Sequence, residues 1–257
     1  MKISIMGASI LTNNRGVSAL AVSIVDIISR IDDSIDISFI IGNRDSVIQR
    51  IVTPNGIYDV PTIGYRLSLK SPFNRHLLIT LLVAIMIRII PFEFIRKLFI
   101  ENFPIIKEVS DADLVADIQG GDSFSDIYGI NKFLIGTIPL IIAIIMKKRV
   151  VLLPQTHGPF KSRISRLIAR LILSKANTIY SRDKGSIEDV NKLFLNKKTM
   201  KPKINLCPDV AFVLQPIKPT KVHIMPPLTN NYNKLVGVNI NGLMYNGGYT
   251  RSNMFGL

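Results

Sequence analysis

Residues 117–129 read DIQGGDSFSDIYG and follow directly on the apolar stretch ADLVA. Three aspartates, two adjacent glycines and two serines fall within these thirteen residues, with no Lys or Arg among them. Gly120 and Gly121 let the backbone bend tightly and let another group approach closely. Asp122, Ser123 and Ser125 then project at a strand end as hydrogen-bond partners suited to a sugar hydroxyl, with one carboxylate available as general base. Two other readings fit the same residues: a helix cap at Asp122 or Ser123, or a metal ligand. The metal lacks a companion His or a second carboxylate at ligand spacing.

Three more loops carry reactive side chains. LPQTHGPF sets His157 after the apolar run RVVLL, where an imidazole can serve as acid, base or phosphate contact. YSRDKGS places Arg182 after NTIY, where a guanidinium fork can clamp a carboxylate or phosphate. Asp183 beside it can cap the next helix and pair with Arg182. GASILTNNRG puts Gly7 after the first strand, Asn13 and Asn14 in the turn and Gly16 at a helix start, which suits an anion or hydroxyl. It lacks the glycine spacing of a dinucleotide fingerprint. His76 and His223 lie outside these loops and take no role.

The elements that must position these loops alternate along the chain. KISIMG, DISFIIG, GIYDVPTIG, ADLVAD, RVVLLP and NTIYS read as strands. RGVSALAVSIVDIISRI, the long apolar stretch from His76 to Ile100, INKFLIGTIPLIIAIIMKK, KSRISRLIARLILSKA and DKGSIEDVNKLF read as helices. Apolar strands that each lead through a polar loop into a helix predict an α/β fold, a Rossmann-like parallel sheet covered on both faces. In such a sheet the loops at the strand carboxyl ends form the ligand crevice, and all four loops fall at such ends. The predicted domain spans residues 1–215. Residues 216–234 read as a proline-rich linker, and residues 235–257, with LVGVNING, as the truncated start of a second domain.

Charge and composition narrow the partner. With 32 Lys and Arg against 18 Asp and Glu, the chain carries +14, which favours an anionic partner. Nucleic acid is the weakest choice: Trp is absent, aromatics are 7%, and no nucleic-acid-binding motif stands out. The single cysteine, Cys207, excludes an internal disulfide and a Cys-cluster metal site, as expected in a reducing cytosol. The apolar runs at Leu77–Ile87 and Phe133–Met146 fall short of the roughly twenty residues a bilayer core demands. They predict packed helices, with a peripheral membrane role open to the first through Arg88, Arg96 and Lys97.

GASILTNNRGVSAL, DIQGGDSFSD, LLPQTHGPF, SRDKGS, CPDVAF and VGVNING together resemble the polysaccharide pyruvyl transferase family, in family order over residues 1–242. The resemblance implies a two-domain, GT-B-type protein that moves the pyruvyl unit of phosphoenolpyruvate onto sugar hydroxyls, forming ketals on cell-surface polysaccharides. It further implies that Arg182 helps to hold the donor and that the QGGDS loop faces the cleft. The residues themselves suggest no metal or organic cofactor. More donor contacts come from the family's second half, so a partner chain is expected to supply what this sequence lacks. A lipid-linked saccharide acceptor would bring the basic surface to the inner face of the membrane. A nucleotide-sugar glycosyltransferase of the same fold and a non-catalytic binding remnant are the alternatives.

Overall fold

A computed structural model describes residues 1–42, 45–68, 70–195 and 201–216, with 220, 221, 225, 234 and 236–238 beyond them. Met1–Leu214 form one compact unit and Gln215–Leu257 a second. The expected linker and second-domain start, and His223, fall almost entirely outside the described residues.

The first strand, β1 (Lys2–Met6), is buried from Ile3 onward and leads through a glycine turn into α1 (Arg15–Ile31). Asn14 caps α1, its side-chain oxygen accepting from the amides of Gly16 and Val17, so one turn residue satisfies two of the helix's unpaired donors. After β2 (Asp36–Gly42) comes an antiparallel hairpin, β3 (Val47–Thr53) and β4 (Gly56–Tyr65). β3 is absent from the sequence reading, and it makes the sheet mixed at that edge. The long apolar stretch after β4 is not one helix. It divides at Pro91 into α2 (Leu77–Ile89) and α3 (Glu93–Asn102), because a proline bars the preceding residue from helical geometry. α4 (Pro104–Asp111) follows.

The second half alternates as expected: β5 (Leu114–Asp117), α5 (Ile130–Ile145), β6 (Arg149–Gln155), α6 (Arg163–Lys175), β7 (Thr178–Ser181) and α7 (Lys184–Phe194). A last strand, β8 (Ile204–Leu206), extends the edge. Among the described residues the eight strands run in the order β3-β4-β2-β1-β5-β6-β7-β8, all pairs parallel except β3 with β4. α1 and a short 3-10 turn at Val210–Val213 cover one face. The core on the other face draws on α2 and α4–α7. This is the expected α/β, Rossmann-like architecture, flanked by helices on both sides.

From β1 the chain winds outward through β2 to the hairpin, then crosses back to β5 and winds outward the other way. The sheet therefore reverses between β1 and β5, and the crevice at their carboxyl ends is the topological switch point where ligands bind in such folds. The glycine turn after β1 and the QGGDS loop after β5 both start there.

Candidate functional site

The two switch-point loops are fitted to each other at backbone level. Gly7 has φ +75°, and a Cβ on it would lie 2.5 Å from the backbone N and Cα of Gln119. The Gly120 amide donates to the Gly7 carbonyl at 3.0 Å. Gln119 itself has φ 37°, one of two described non-glycine residues in the left-handed region. That strain persists only where surrounding contacts over-determine it. The rest of the first loop is held by Gln49 of β3, whose Oε1 accepts from the Ile10 amide at 2.8 Å.

Between these loops lies a cleft of about 710 Å³, whose lining includes Thr12 and Asn14 from the first loop and Gln119, Gly120 and Ser123 from the second. Tyr128, Asn131 and Lys132, at and before the start of α5, close its far side. Among the described residues its polar groups are hydroxyls and amides, with Lys132 as the one charged side chain. The Lys132 ammonium stands 4.0 Å from the Tyr128 ring centre. The Tyr128 hydroxyl donates to Asp122 Oδ2 at 2.7 Å. Asp122 does not cap α5, whose N-cap position is Gly129 with no side-chain cap bond. A half-buried carboxylate thus stands behind a cleft-lining phenol.

Beneath the cleft floor sits a polar cluster that the sequence reading did not single out. Asp117, at the end of β5, is fully buried and accepts from Gln155 Nε2 at 2.9 Å and Gln119 Nε2 at 3.3 Å. Burial raises its carboxyl to a pKa of about 7, only partly offset by those two amide donors. Asp117 Oδ1, Gln119 Oε1 and Gln155 Oε1 are all buried without a hydrogen-bond partner. A proton on Asp117 Oδ1 removes the cost of burying a charge there and turns one of these acceptors into a donor. The buried Tyr65 phenol feels the same desolvation and the Asp117 charge, and its pKa is raised.

The loops after β5, β6 and β7 are sewn together beside the cleft. The Thr156 amide donates to the Gly121 carbonyl at 2.8 Å, and the Gly158 amide to the Phe124 carbonyl at 2.9 Å. His157 lies within this seam and does not line the cleft. Its side chain is fully buried, edge-on to Phe124, with Nε2 2.9 Å from the Tyr180 carbonyl. Desolvation lowers its pKa to about 4, against the raising effect of that carbonyl and of Asp183. Such a ring is neutral at pH 7, and its placement suits packing rather than proton transfer to a substrate.

Arg182 follows β7, as expected, but it pairs with Asp209 rather than Asp183. Its Nη1 lies 2.6 Å from Asp209 Oδ2, and its Nε donates to Thr156 Oγ1 at 3.1 Å. The guanidinium packs on the bare face of Gly121 (φ +90°), where a Cβ would come within 2.8 Å of Nη1. Asp183 caps α7 through the Ser186 amide at 2.7 Å and accepts from Thr156 at 3.0 Å. Partial burial raises its pKa, but the Ser186 and Thr156 bonds and the Arg182 charge outweigh this and lower it.

The structure therefore brings Asn14, Gly120 and Ser123 into the cleft wall, sets Asp122 one contact behind it, and places Gly121 and Arg182 back to back at its side. Lys132, Tyr128, Thr12 and Gln119 line the cleft as well, though the sequence reading gave them no role. Among the described residues, no group of three or more His, Cys, Asp or Glu is placed to hold a metal ion. Nor is any helix there long and apolar enough to cross a membrane.

No curated protein matches the chain. The family model for polysaccharide pyruvyl transferase matches residues 16–240, a span that takes in α1, both glycine-bearing loops after β5 and β6, and the Arg182 turn. The match covers most of the chain, including the QGGDS wall of the switch-point cleft, and shows that the chain belongs to the polysaccharide pyruvyl transferase family.

Proposed function

We propose that the chain takes part in transferring the pyruvyl unit of phosphoenolpyruvate to two hydroxyls of a saccharide, with the saccharide seated in the switch-point cleft. The observation that carries this reading is the cleft lining, whose described residues are rich in neutral donors and acceptors and include one cation, Lys132. Such a surface matches a polyol, whose hydroxyls each donate and accept. Phosphoenolpyruvate carries a carboxylate and a phosphate and needs cations. Lys132 within the cleft and Arg182 beside it, across Gly121, are the groups we assign to it.

The reaction needs a proton acceptor and a proton donor. Two saccharide hydroxyls form two C–O bonds to the donor's C2, and the C2–O bond to phosphate breaks. Of the two hydroxyl protons, one ends on C3, converting methylene to methyl, and the other leaves with phosphate. We assign the acceptor role to Asp122, acting on a hydroxyl held beside Tyr128. Asp117 is fully enclosed, so it positions Gln119 and Gln155 rather than touching substrate. His157 holds the β5 and β6 loops together. No metal or organic cofactor is assigned a part.

The test is phosphate release from phosphoenolpyruvate by the full chain, alone and with candidate saccharide acceptors. Acceptor-dependent release that falls by about 10²-fold or more in Asp122→Asn supports the assignment. Release of nucleoside diphosphate from an activated sugar, with no turnover of phosphoenolpyruvate, would instead place the chain among glycosyltransferases of this fold.

A further inference from the structure

We propose that the outward faces of α2, α3 and α6 form a docking surface for an anionic lipid bilayer. α2 is apolar on both sides. Leu77, Val83, Ala84 and Ile87 face the core, while Leu78, Leu82, Ile85, Met86 and Ile89 are exposed along the opposite stripe. A helix hydrophobic all round is normally enclosed by protein or lipid. The linker residue Phe92 and, on α3, Phe94, Ile95 and Leu98 continue the exposed surface, and α3 meets the core only through the half-buried Phe99 and Ile100.

Summed over these nine residues, the exposure equals about five large side chains. At ~150 Å² each that is on the order of 750 Å² of exposed apolar surface, divided between α2, the linker and α3. The charge lies on the same side. α5 packs against α2 on one flank and α6 on the other, so all three look away from the sheet in one direction. On α6, Ile164, Leu167 and Leu171 form an exposed apolar stripe. Residues 161–177 carry five Lys or Arg and no carboxylate. Arg88 and Arg96 add exposed cations beside the α2 and α3 stripes, while Lys97 is paired with Glu93 at 3.2 Å.

Apolar stripes bordered by cations match the boundary between acyl chains and anionic headgroups, entered by helices lying in its plane. α2 is 13 residues long, about 20 Å at the usual rise, which suits lying in the interface and not crossing it. A protein partner of matching shape would have to be both acidic and apolar. A bilayer supplies both chemistries without any shape requirement, and the ridged, divided surface of α2 and α3 favours it. The inference does not depend on which donor the cleft binds.

The test is flotation of the full chain with phosphatidylcholine vesicles, with and without phosphatidylglycerol. We expect binding that strengthens with phosphatidylglycerol and weakens with salt. The double variant Leu82→Glu, Phe94→Glu changes only exposed positions, and circular dichroism checks its fold. It should lower the partition coefficient by at least ~10-fold, and Arg163→Glu with Arg166→Glu should do so on phosphatidylglycerol vesicles. No flotation with anionic vesicles, or flotation unchanged by the apolar double variant, overturns the proposal. So does a stable dimer that the same variant dissociates, which would assign the surface to a second copy of the chain.

Discussion

Replacing Asp117 with asparagine should make the domain more stable at pH 8 while leaving it nearly unchanged at pH 4. Asp117 is completely buried and its folded pKa stands at about 7, against 3.8 for the free group. A carboxyl whose pKa is raised by folding binds its proton more tightly in the native state. Stability therefore falls as pH rises from the unfolded pKa through the folded one. Between pH 5 and pH 8 this single group withdraws about 2–3 kcal/mol. Asparagine cannot ionise, and its carbonyl in the Oδ2 position keeps the two bonds from Gln119 and Gln155. Urea unfolding of both proteins at pH 5 and pH 8 reads the effect as a difference of differences, so titrations common to both cancel. A gap between variant and parent that does not widen with pH, or an asparagine variant less stable at pH 8, would refute the buried, proton-bearing cluster.

Other outcomes follow from the same contacts. Gly7→Ala should cost about 3 kcal/mol or more in urea unfolding, because it joins a left-handed backbone to a clash with the Gln119 main chain, which has no flexible end to move. Arg182→Ala should lower donor affinity or turnover by roughly one to two orders of magnitude, with only partial rescue by Lys. It should also cost about 1–3 kcal/mol in stability by stranding a mostly buried Asp209; unchanged donor kinetics per folded molecule would make it purely structural. The His157 ring should show no titration by proton NMR between pH 5.5 and 8. Its contribution to stability is lost only as pH falls below about 6.5 towards 4, and a midpoint near 6.5 would mean the ring is not enclosed.

Most of the fold was legible because its strands are apolar runs closed by glycine or polar turns. β3 escaped for a definite reason. Its inward positions are Gln49, Ile51 and Thr53, while Val47, Ile48 and Val52 face solvent, so its alternation is close to inverted. The inward Gln49 is spent on anchoring the loop after β1. The division of the apolar stretch into α2 and α3 was written in Pro91, and hydropathy alone masked it. At the site, the glycines and Asn14 could be placed from sequence because turns and caps are local. The partners of Asp117 and Arg182 could not. Gln155 lies 38 positions from Asp117, and Asp209 lies 27 from Arg182, and only the sheet order brings them together. His157 sits in a crevice loop by sequence, yet Phe124 and Tyr180 enclose it.

The most direct test of pyruvyl transfer is to incubate the full chain with phosphoenolpyruvate labelled with carbon-13 at C3 and a saccharide acceptor, then follow the label by NMR. Transfer converts the labelled vinyl carbon into a ketal methyl that stays with the saccharide. Label that remains in phosphoenolpyruvate, or that appears only as free pyruvate at the rate of the protein-free control, would contradict it.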